Sequence, residues 1–204
     1  SDSLKMKGTD KMNVDALLKR AISGFESLDI SPKYKESAAN WLEVWLTEEI
    51  FKDYVHQIEY LIAAQKWNFL MDSFYQVIPF GTGGRRGMVG IGPNRINTWT
   101  IQASAQGHSQ YLIKQHGETA RKQGVVLTFD VRKYTQSGVY HDTLPNPVMN
   151  LDGKQLAVAA ARVYAANEIA VYMFEGARST PELSFAIRHL NAISGDMFSA
   201  SHNL

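Results

Sequence analysis

Two stretches of the chain carry side chains that could do chemistry. Near its end an apolar run passes into Phe198-Ser199-Ala200-Ser201-His202-Asn203, a small polar loop with a serine and a histidine side by side at its tip. Far upstream, Phe80-Gly81-Thr82-Gly83-Gly84-Arg85-Arg86-Gly87 sets two arginines among glycines, a backbone that must turn tightly or approach something closely. Each stretch has a bland reading. Ser201 alone is an ordinary loop serine, His202 a surface imidazole, and Arg86 a solvated cation or half of a structural ion pair. Serine hydrolysis is poorly supported, because the chain has no G-x-S-x-G elbow and the adjacent Ser201 and His202 need not face one another.

The elements that position these loops can be read from periodicity. Residues 1 to 12 are polar and read as a frayed end. Val14, Leu17, Leu18, Ala21, Ile22 and Phe25 share one helical face, with Asn13 as a candidate cap. Ser31-Pro32 opens a second helix carrying Trp41, Leu42, Val44, Trp45 and Leu46, and Thr47-Glu48-Glu49 reads as the cap of a third. Helical spacing continues through Trp67, Phe69, Leu70, Phe74 and Tyr75, so residues 1–77 read as an all-helical N-terminal extension whose rings are packing surface. The composition changes at Pro79. After the glycines, Ile96 to His116 is helical again, with Trp99, Ile101, Ala105, Tyr111 and Leu112 inward and Gly117 as the stop.

Val125 to Phe129 is a continuous apolar run between Gly124 and Asp130, as in a strand buried on both faces. Lys133 to Leu151 has no clean period and contains Pro145 and Pro147, which reads as a mobile or surface insertion or else a functional flap. An alanine-rich helix follows, then a second buried strand over Ile169–Phe174. Ser179-Thr180-Pro181-Glu182 starts a helix with Leu183, Phe185, Ala186 and Leu190 on its face. A short strand over Ile193–Phe198 feeds the serine loop. This order predicts an α/β fold, a largely parallel mixed sheet sandwiched by helices. Functional loops of such sheets leave the carboxyl ends of strands, where both Asp130-Val131-Arg132 and Ser199 to Asn203 fall.

Composition narrows the classes of partner. The 204 residues carry 21 basic against 20 acidic side chains, which gives no electrostatic case for nucleic acid or an anionic membrane. There is no cysteine, so disulfides and thiolate metal sites are excluded and a cytoplasmic protein is expected. No apolar run approaches the roughly 20 residues of a membrane span.

Four segments, in order, resemble the alpha-D-phosphohexomutases, the phosphoglucomutase and phosphomannomutase family. Gly81-Thr82-Gly83-Gly84-Arg85-Arg86-Gly87 is similar to the family's G-T-[SAG]-G-x-R-G, and Asp130-Val131-Arg132 to its D-x-R. Thr180-Pro181-Glu182-Leu183 is similar to T-P-x-L, and Ser199-Ala200-Ser201-His202-Asn203 to T-A-S-H-N-P. Residues 90–97 also resemble the longer members, which carry a helical N-terminal extension. The resemblance covers residue 78 to the end and implies that residues 78–204 are domain I of that family.

It further implies a catalytic group of Ser201, carried as phosphoserine, His202 as a polar or acid–base contact, and Arg86 as a bidentate phosphate ligand. Thr82, Gly83, Arg86 and Asn203 would bind phosphate. A magnesium ion would be held by the phosphate on Ser201 and by a D-G-D-G-D loop of a later domain. The activity implied is transfer of a phosphoryl group between positions 1 and 6 of a hexose phosphate, through a hexose bisphosphate that is both intermediate and activator. Pentose phosphate is the alternative substrate, since long-form relatives include phosphopentomutases. Arg132 is read as structural support and Arg85 as solvated.

The chain departs from the family at Leu204, where proline is usual, and in the long 133–151 segment. It contains no D-x-D-x-D sequence. The metal loop and the sugar-selecting and phosphate-clamping loops belong to three later domains of the family. The 204 residues are therefore expected to be an N-terminal portion of a mutase, inactive alone, whose partners are a sugar phosphate and the remaining domains. An apolar face that the next domain would cover could instead support a dimer. The rival reading is a non-catalytic domain that binds phosphate or a partner.

Overall fold

The computed structural model describes residues 8–135 and 138–200, with side chains from Asn13 onward. Within that range the chain forms two compact units, each assembled from separated stretches. The first contains residues 8–86, Gly90–Arg95 and the 138–147 stretch; the second contains Gly87–Val89, Ile96–Thr135 and residues 148–200.

The first unit is helical. Helices α1 (Gly8–Glu26), α2 (Pro32–Thr47), α3 (Val55–Ala63) and α4 (Trp67–Phe74) follow one another, with a 3₁₀ turn over Glu49–Tyr54. α1 begins before Asn13, which therefore lies inside the helix and not at its cap. α2 starts as expected, with Pro32 in its first turn, where a missing N–H costs nothing. Thr47 does not cap the next helix; its hydroxyl turns back to donate to the Glu43 carbonyl at 2.8 Å. The aromatic residues form the core. Trp45 stacks on Phe51 at 4.2 Å between centroids and meets Tyr54 and Phe74 edge-on, all four being buried. β1 (Phe80–Gly81) and β2 (Gly84–Arg85) make a minimal antiparallel hairpin.

Two later stretches pack with these helices. Arg95 is 4% exposed, pairs with Asp72 at 2.5 Å and lies 5.3 Å from the Phe69 ring centre. Gly92 adopts φ +122°, and a Cβ there would fall 2.4 Å from the Ser73 carbonyl oxygen, so only glycine fits. The stretch 138–147, part of the 133–151 segment expected as a mobile or surface insertion or else a functional flap, is anchored. Tyr140 is buried against Phe69, and its hydroxyl accepts the Ile91 N–H at 2.8 Å.

The second unit is the α/β part. Helices α5 (Thr98–His116) and α6 (Glu118–Gln123) precede β3 (Val125–Phe129); α7 (Gly153–Ala166), β4 (Val171–Met173), α8 (Thr180–His189) and β5 (Ser194–Phe198) follow. The strands form a parallel sheet in the order β4-β3-β5, with Val125 opposite both Val171 and Ser194. β3 is central and buried along its whole length, which is why its sequence is an unbroken apolar run. Helices lie on both faces of the sheet. A Cβ on Gly195 would strike Ile187 and Leu183 of α8, whereas its neighbours Ser194 and Asp196 bond to α5 and α7.

Three expectations change here. β4 is shorter than Ile169–Phe174 and lies at an edge, so Tyr172 and Met173 are 37% and 39% exposed instead of buried. On α5 the buried face is Thr100, Ala105, Ser109 and Leu112, and Tyr111 points out at 58% exposure. Small side chains suit that face because it packs on the alanine-rich α7. On α8, Leu183 and Ala186 are buried, but Phe185 is 61% exposed and stacks on His189.

Candidate active site

The carboxyl ends of β3 and β5 lie side by side. Phe129 is in register with Phe198, and the Asp130 N–H donates to the Phe198 carbonyl at 3.1 Å. The loops that follow, Asp130-Val131-Arg132 and Ser199-Ala200, therefore leave the sheet at adjacent points. This is the arrangement that the strand–helix–strand pattern predicts. The loop after β4 reaches the same rim. The Arg178 N–H donates to the Phe129 carbonyl at 3.1 Å, and the buried Thr128 hydroxyl donates to the Arg178 carbonyl at 3.3 Å.

α7 starts against this rim. Asp152 caps it by accepting the Gln155 N–H at 2.8 Å, while the Gln155 side chain accepts the Asp152 N–H at 3.0 Å. Gly153, the first helical residue, sits so close that a Cβ would lie 2.9 Å from the Phe198 carbonyl oxygen and 3.1 Å from that of Asp130. Lys154 follows, with Nζ 6.0 Å from the Phe129 ring centre and 3.5 Å from the Glu175 carbonyl. Sequence reading did not single out Gly153, Lys154 or Arg178. The Asp152-x-x-Gln155 capping pattern straight after an irregular segment was the signal available for the first two.

The predicted site residues fall as follows. Thr82 and Gly83 form the exposed turn between β1 and β2, and Arg86 just beyond the hairpin is also exposed. Arg85, expected to be solvated, is instead half-buried and donates to the Ile78 carbonyl; burial also lowers its pKa from the usual arginine range. One arginine of the pair thus holds the hairpin and the other projects outward. Arg132 ties back to Asp130, whose carboxylate accepts from the Arg132 Nε at 2.5 Å and from its backbone N–H at 3.1 Å. That is the local support expected of it. Ser199 and Ala200 follow β5, and Ala200 is buried; Ser201, His202 and Asn203 lie outside the described residues. Among the described residues no group of three or more His, Cys, Asp or Glu could hold a metal ion, so they do not by themselves supply the implied magnesium site. No described helix is long and apolar enough to cross a membrane.

A network lies deeper beneath the rim, between α5, α7 and β5. The Tyr164 hydroxyl donates to Asp196 at 2.5 Å and lies 2.7 Å from His108 Nδ1, while Ser194 Oγ is 3.4 Å from His108 Nε2. Burial first, and then the Asp196 charge, hold the Tyr164 phenol far above the usual tyrosine range.

Comparison with known proteins agrees with this architecture. Residues 149–204 match the model of the phosphoglucomutase/phosphomannomutase alpha/beta/alpha domain I. The chain is 30% identical over 176 residues to a phosphopentomutase of Mus musculus, covering 86% of this chain and 26% of that protein. It is 32% identical over 168 residues to the Homo sapiens phosphopentomutase, covering 82% and 25%. A phosphoglucomutase of Staphylococcus aureus (strain bovine RF122 / ET3-1) is 34% identical over 132 residues, covering 65% and 20%. The chain thus spans about a quarter of the length of the phosphopentomutases it matches. No solved structure matches it. Sheet order, the helix start at Thr180-Pro181 and these matches agree: the chain belongs to the alpha-D-phosphohexomutase family and carries its domain I.

Proposed function

We propose that this chain supplies the phosphoserine of a cytoplasmic mutase that moves a phosphoryl group between two positions of a sugar phosphate, with residues 78–204 as domain I and 1–77 as a helical extension. Ser201 carries the phosphoryl group at rest. A free hydroxyl of the bound sugar phosphate attacks that phosphorus. The bond from phosphorus to the serine oxygen breaks, a bond to the sugar oxygen forms, and the hydroxyl proton ends on the serine oxygen. The resulting bisphosphate turns over and returns its other phosphoryl group to Ser201, so phosphate is conserved over the cycle. His202 is the acid–base contact at this exchange. Arg86 offers its guanidinium fork to phosphate oxygens, with Thr82, Gly83 and Asn203 as further phosphate contacts.

The observation that supports this reading most is the position of β5, the strand that leads in sequence to the serine stretch. Its carboxyl end adjoins that of β3, within the part of the chain that matches domain I. The exposure of Thr82, Gly83 and Arg86, with Arg85 taking the structural role, also fits ligand binding. A hexose phosphate is the first substrate reading. A pentose phosphate is the second, favoured by the long matches to phosphopentomutases. The 204 residues alone are expected to be inactive, because residues that select the sugar lie in later domains of the family.

The test is made on the full-length protein expressed from its gene. Peptide mapping should locate one phosphoryl group on Ser201, and Ser201→Ala should abolish mutase turnover with glucose 1-phosphate and ribose 1-phosphate alike. Retained turnover in that variant would remove the serine from the mechanism.

A further inference from the structure

We infer that Lys154 and Arg178 form a phosphate-binding pair at the carboxyl end of the sheet, taking a phosphate monoester; this rests on the mutase reading above and adds two residues to its site. Both cations border Phe129, the last residue of the central strand. Lys154 Nζ lies 6.0 Å from the Phe129 ring centre, and the Arg178 N–H donates to the Phe129 carbonyl at 3.1 Å. The loop between β4 and α8 links them: Lys154 Nζ donates to the Glu175 carbonyl at 3.5 Å, three residues before Arg178. That loop is held to β3 at both ends. The Phe174 N–H donates to the Leu127 carbonyl at 3.3 Å, and the Thr128 hydroxyl donates to the Arg178 carbonyl at 3.3 Å. On the other side, Gly153 presses on the Phe198 and Asp130 carbonyl oxygens, so its neighbour Lys154 also stands where β5 ends.

Neither charge is spent on a close carboxylate. Lys154 is exposed, and among the described residues its ammonium forms no ion pair. The adjacent Asp152 is engaged with the Gln155 N–H. A cation in the first turn of α7 opposes the positive end of its own helix, so local stability does not account for it. The Arg178 guanidinium is about half exposed and meets Glu182 loosely, with Nε 3.6 Å from Oε1, while Nη1 donates to the Ala177 carbonyl at 2.8 Å. The Glu182 carboxylate is itself taken by the Ser179 N–H at 2.9 Å and hydroxyl at 2.8 Å. Nη2 of Arg178 has no hydrogen bond among the described residues. An arginine with donors to spare and a lysine point charge, both on fixed main chain, are the donor set that a dianionic monoester requires.

Two monoesters have this chemistry, the one on the bound sugar and the one on Ser201, and calorimetry with kinetics on the full-length protein separates them. Lys154→Met and Arg178→Met each remove a charge and keep every main-chain bond, so both should fold, which thermal unfolding checks. In a Ser201→Ala background no phosphoserine forms. If the pair holds the sugar's phosphate, each substitution should weaken binding of glucose 1-phosphate or ribose 1-phosphate there by about tenfold or more. If it holds the serine's, that binding is unchanged, whereas in the phosphorylated protein kcat falls by about tenfold or more with KM little altered. Lys154→Arg, which keeps the charge, should recover most of either loss. Unchanged binding and unchanged kcat in both methionine variants would overturn the inference, and a loss confined to one of them would overturn the pair. Should Ser201→Ala itself retain turnover, the phosphoserine mechanism would fail while the binding measurement still decided the role of Lys154 and Arg178.

Discussion

Replacing Gly153 by alanine should destabilise the α/β unit, although alanine is the better helix former. The new methyl would meet three atoms that cannot swing aside: the Phe198 carbonyl oxygen at 2.9 Å, the Asp130 carbonyl oxygen at 3.1 Å and the Phe129 Cβ at 3.1 Å. Two of these are backbone oxygens at the carboxyl ends of adjacent strands, so relief requires α7 to move off the sheet. Overpacking of this kind costs roughly 1–3 kcal/mol. Against it stands the helical gain of alanine over glycine, about 1 kcal/mol in a helix interior and less in the first turn. The net loss is about 1–2 kcal/mol, or roughly 2–8 °C in Tm for a chain of this size. Thermal unfolding followed by circular dichroism reads this directly. Gly107 is the control: it lies in α5, a Cβ there meets nothing within 4 Å, and Gly107→Ala should stabilise by roughly 0.5–1 kcal/mol. The same substitution thus carries opposite signs at two helical positions of one unit. If Gly153→Ala were as stable as Gly107→Ala, the close seating of α7 on the strand ends would be refuted.

Two further effects are expected. Tyr164→Phe removes the hydroxyl between His108 and Asp196; a hydrogen bond to a charged group contributes about 1.5–3 kcal/mol, with the lower end applying because Asp196 is partly solvated. In the wild type this phenol is held above its unfolded pKa, so its contribution is complete below about pH 10 and is lost as the pH rises beyond that. Denaturant titrations at pH 8 and pH 11 should therefore show a gap between wild type and variant that narrows in alkali. Glu182 behaves with the opposite sign. The Ser179 backbone N–H, and then its hydroxyl, hold the Glu182 carboxyl below its usual range, so the stabilisation is present above about pH 4.3 and disappears as the pH falls through the folded pKa. Glu182→Gln should lower the Tm at pH 7 and leave it close to wild type at pH 3, and an equal deficit at both would show that the charge is not involved.

Local chemistry and long apolar runs were legible in the chain. The start of α8 could be read because Ser179, Pro181 and Glu182 satisfy their own backbone neighbours, and β3 because burial on both faces demands an unbroken apolar run. What could not be read depended on partners distant in sequence. Tyr111 and Phe185 sit at helical spacings that suit a core, yet both stay largely exposed, since α5 offers its small side chains to α7 and α8 offers Leu183 and Ala186 to the sheet. Arg85 and Arg86 are identical in type and adjacent, and only the position of the Ile78 carbonyl separates their roles. The 138–147 stretch lacks periodicity because its order comes from Gln57, Tyr60 and Phe69, three residues of two helices far upstream. Of the site itself, the rim formed by β3 and β5 followed from pattern, whereas Gly153 and Arg178 needed the geometry.

The interleaving of the two units bears on how the chain reaches this state. The four N-terminal helices are made first, yet the buried amide of Gln57 has no main-chain partner until residues 141 and 144 exist, and Arg95 must be in place before Asp72 is paired. Ordering the helical unit therefore waits on chain that also begins the sheet, and β3 in turn waits for β5 more than sixty residues later. Contacts of such sequence separation slow folding, because loop closure must precede the contacts that reward it. During synthesis Phe69 would lack its Tyr140 contact and Gln57 its main-chain partners while later segments emerge, an interval in which a chaperone has time to bind.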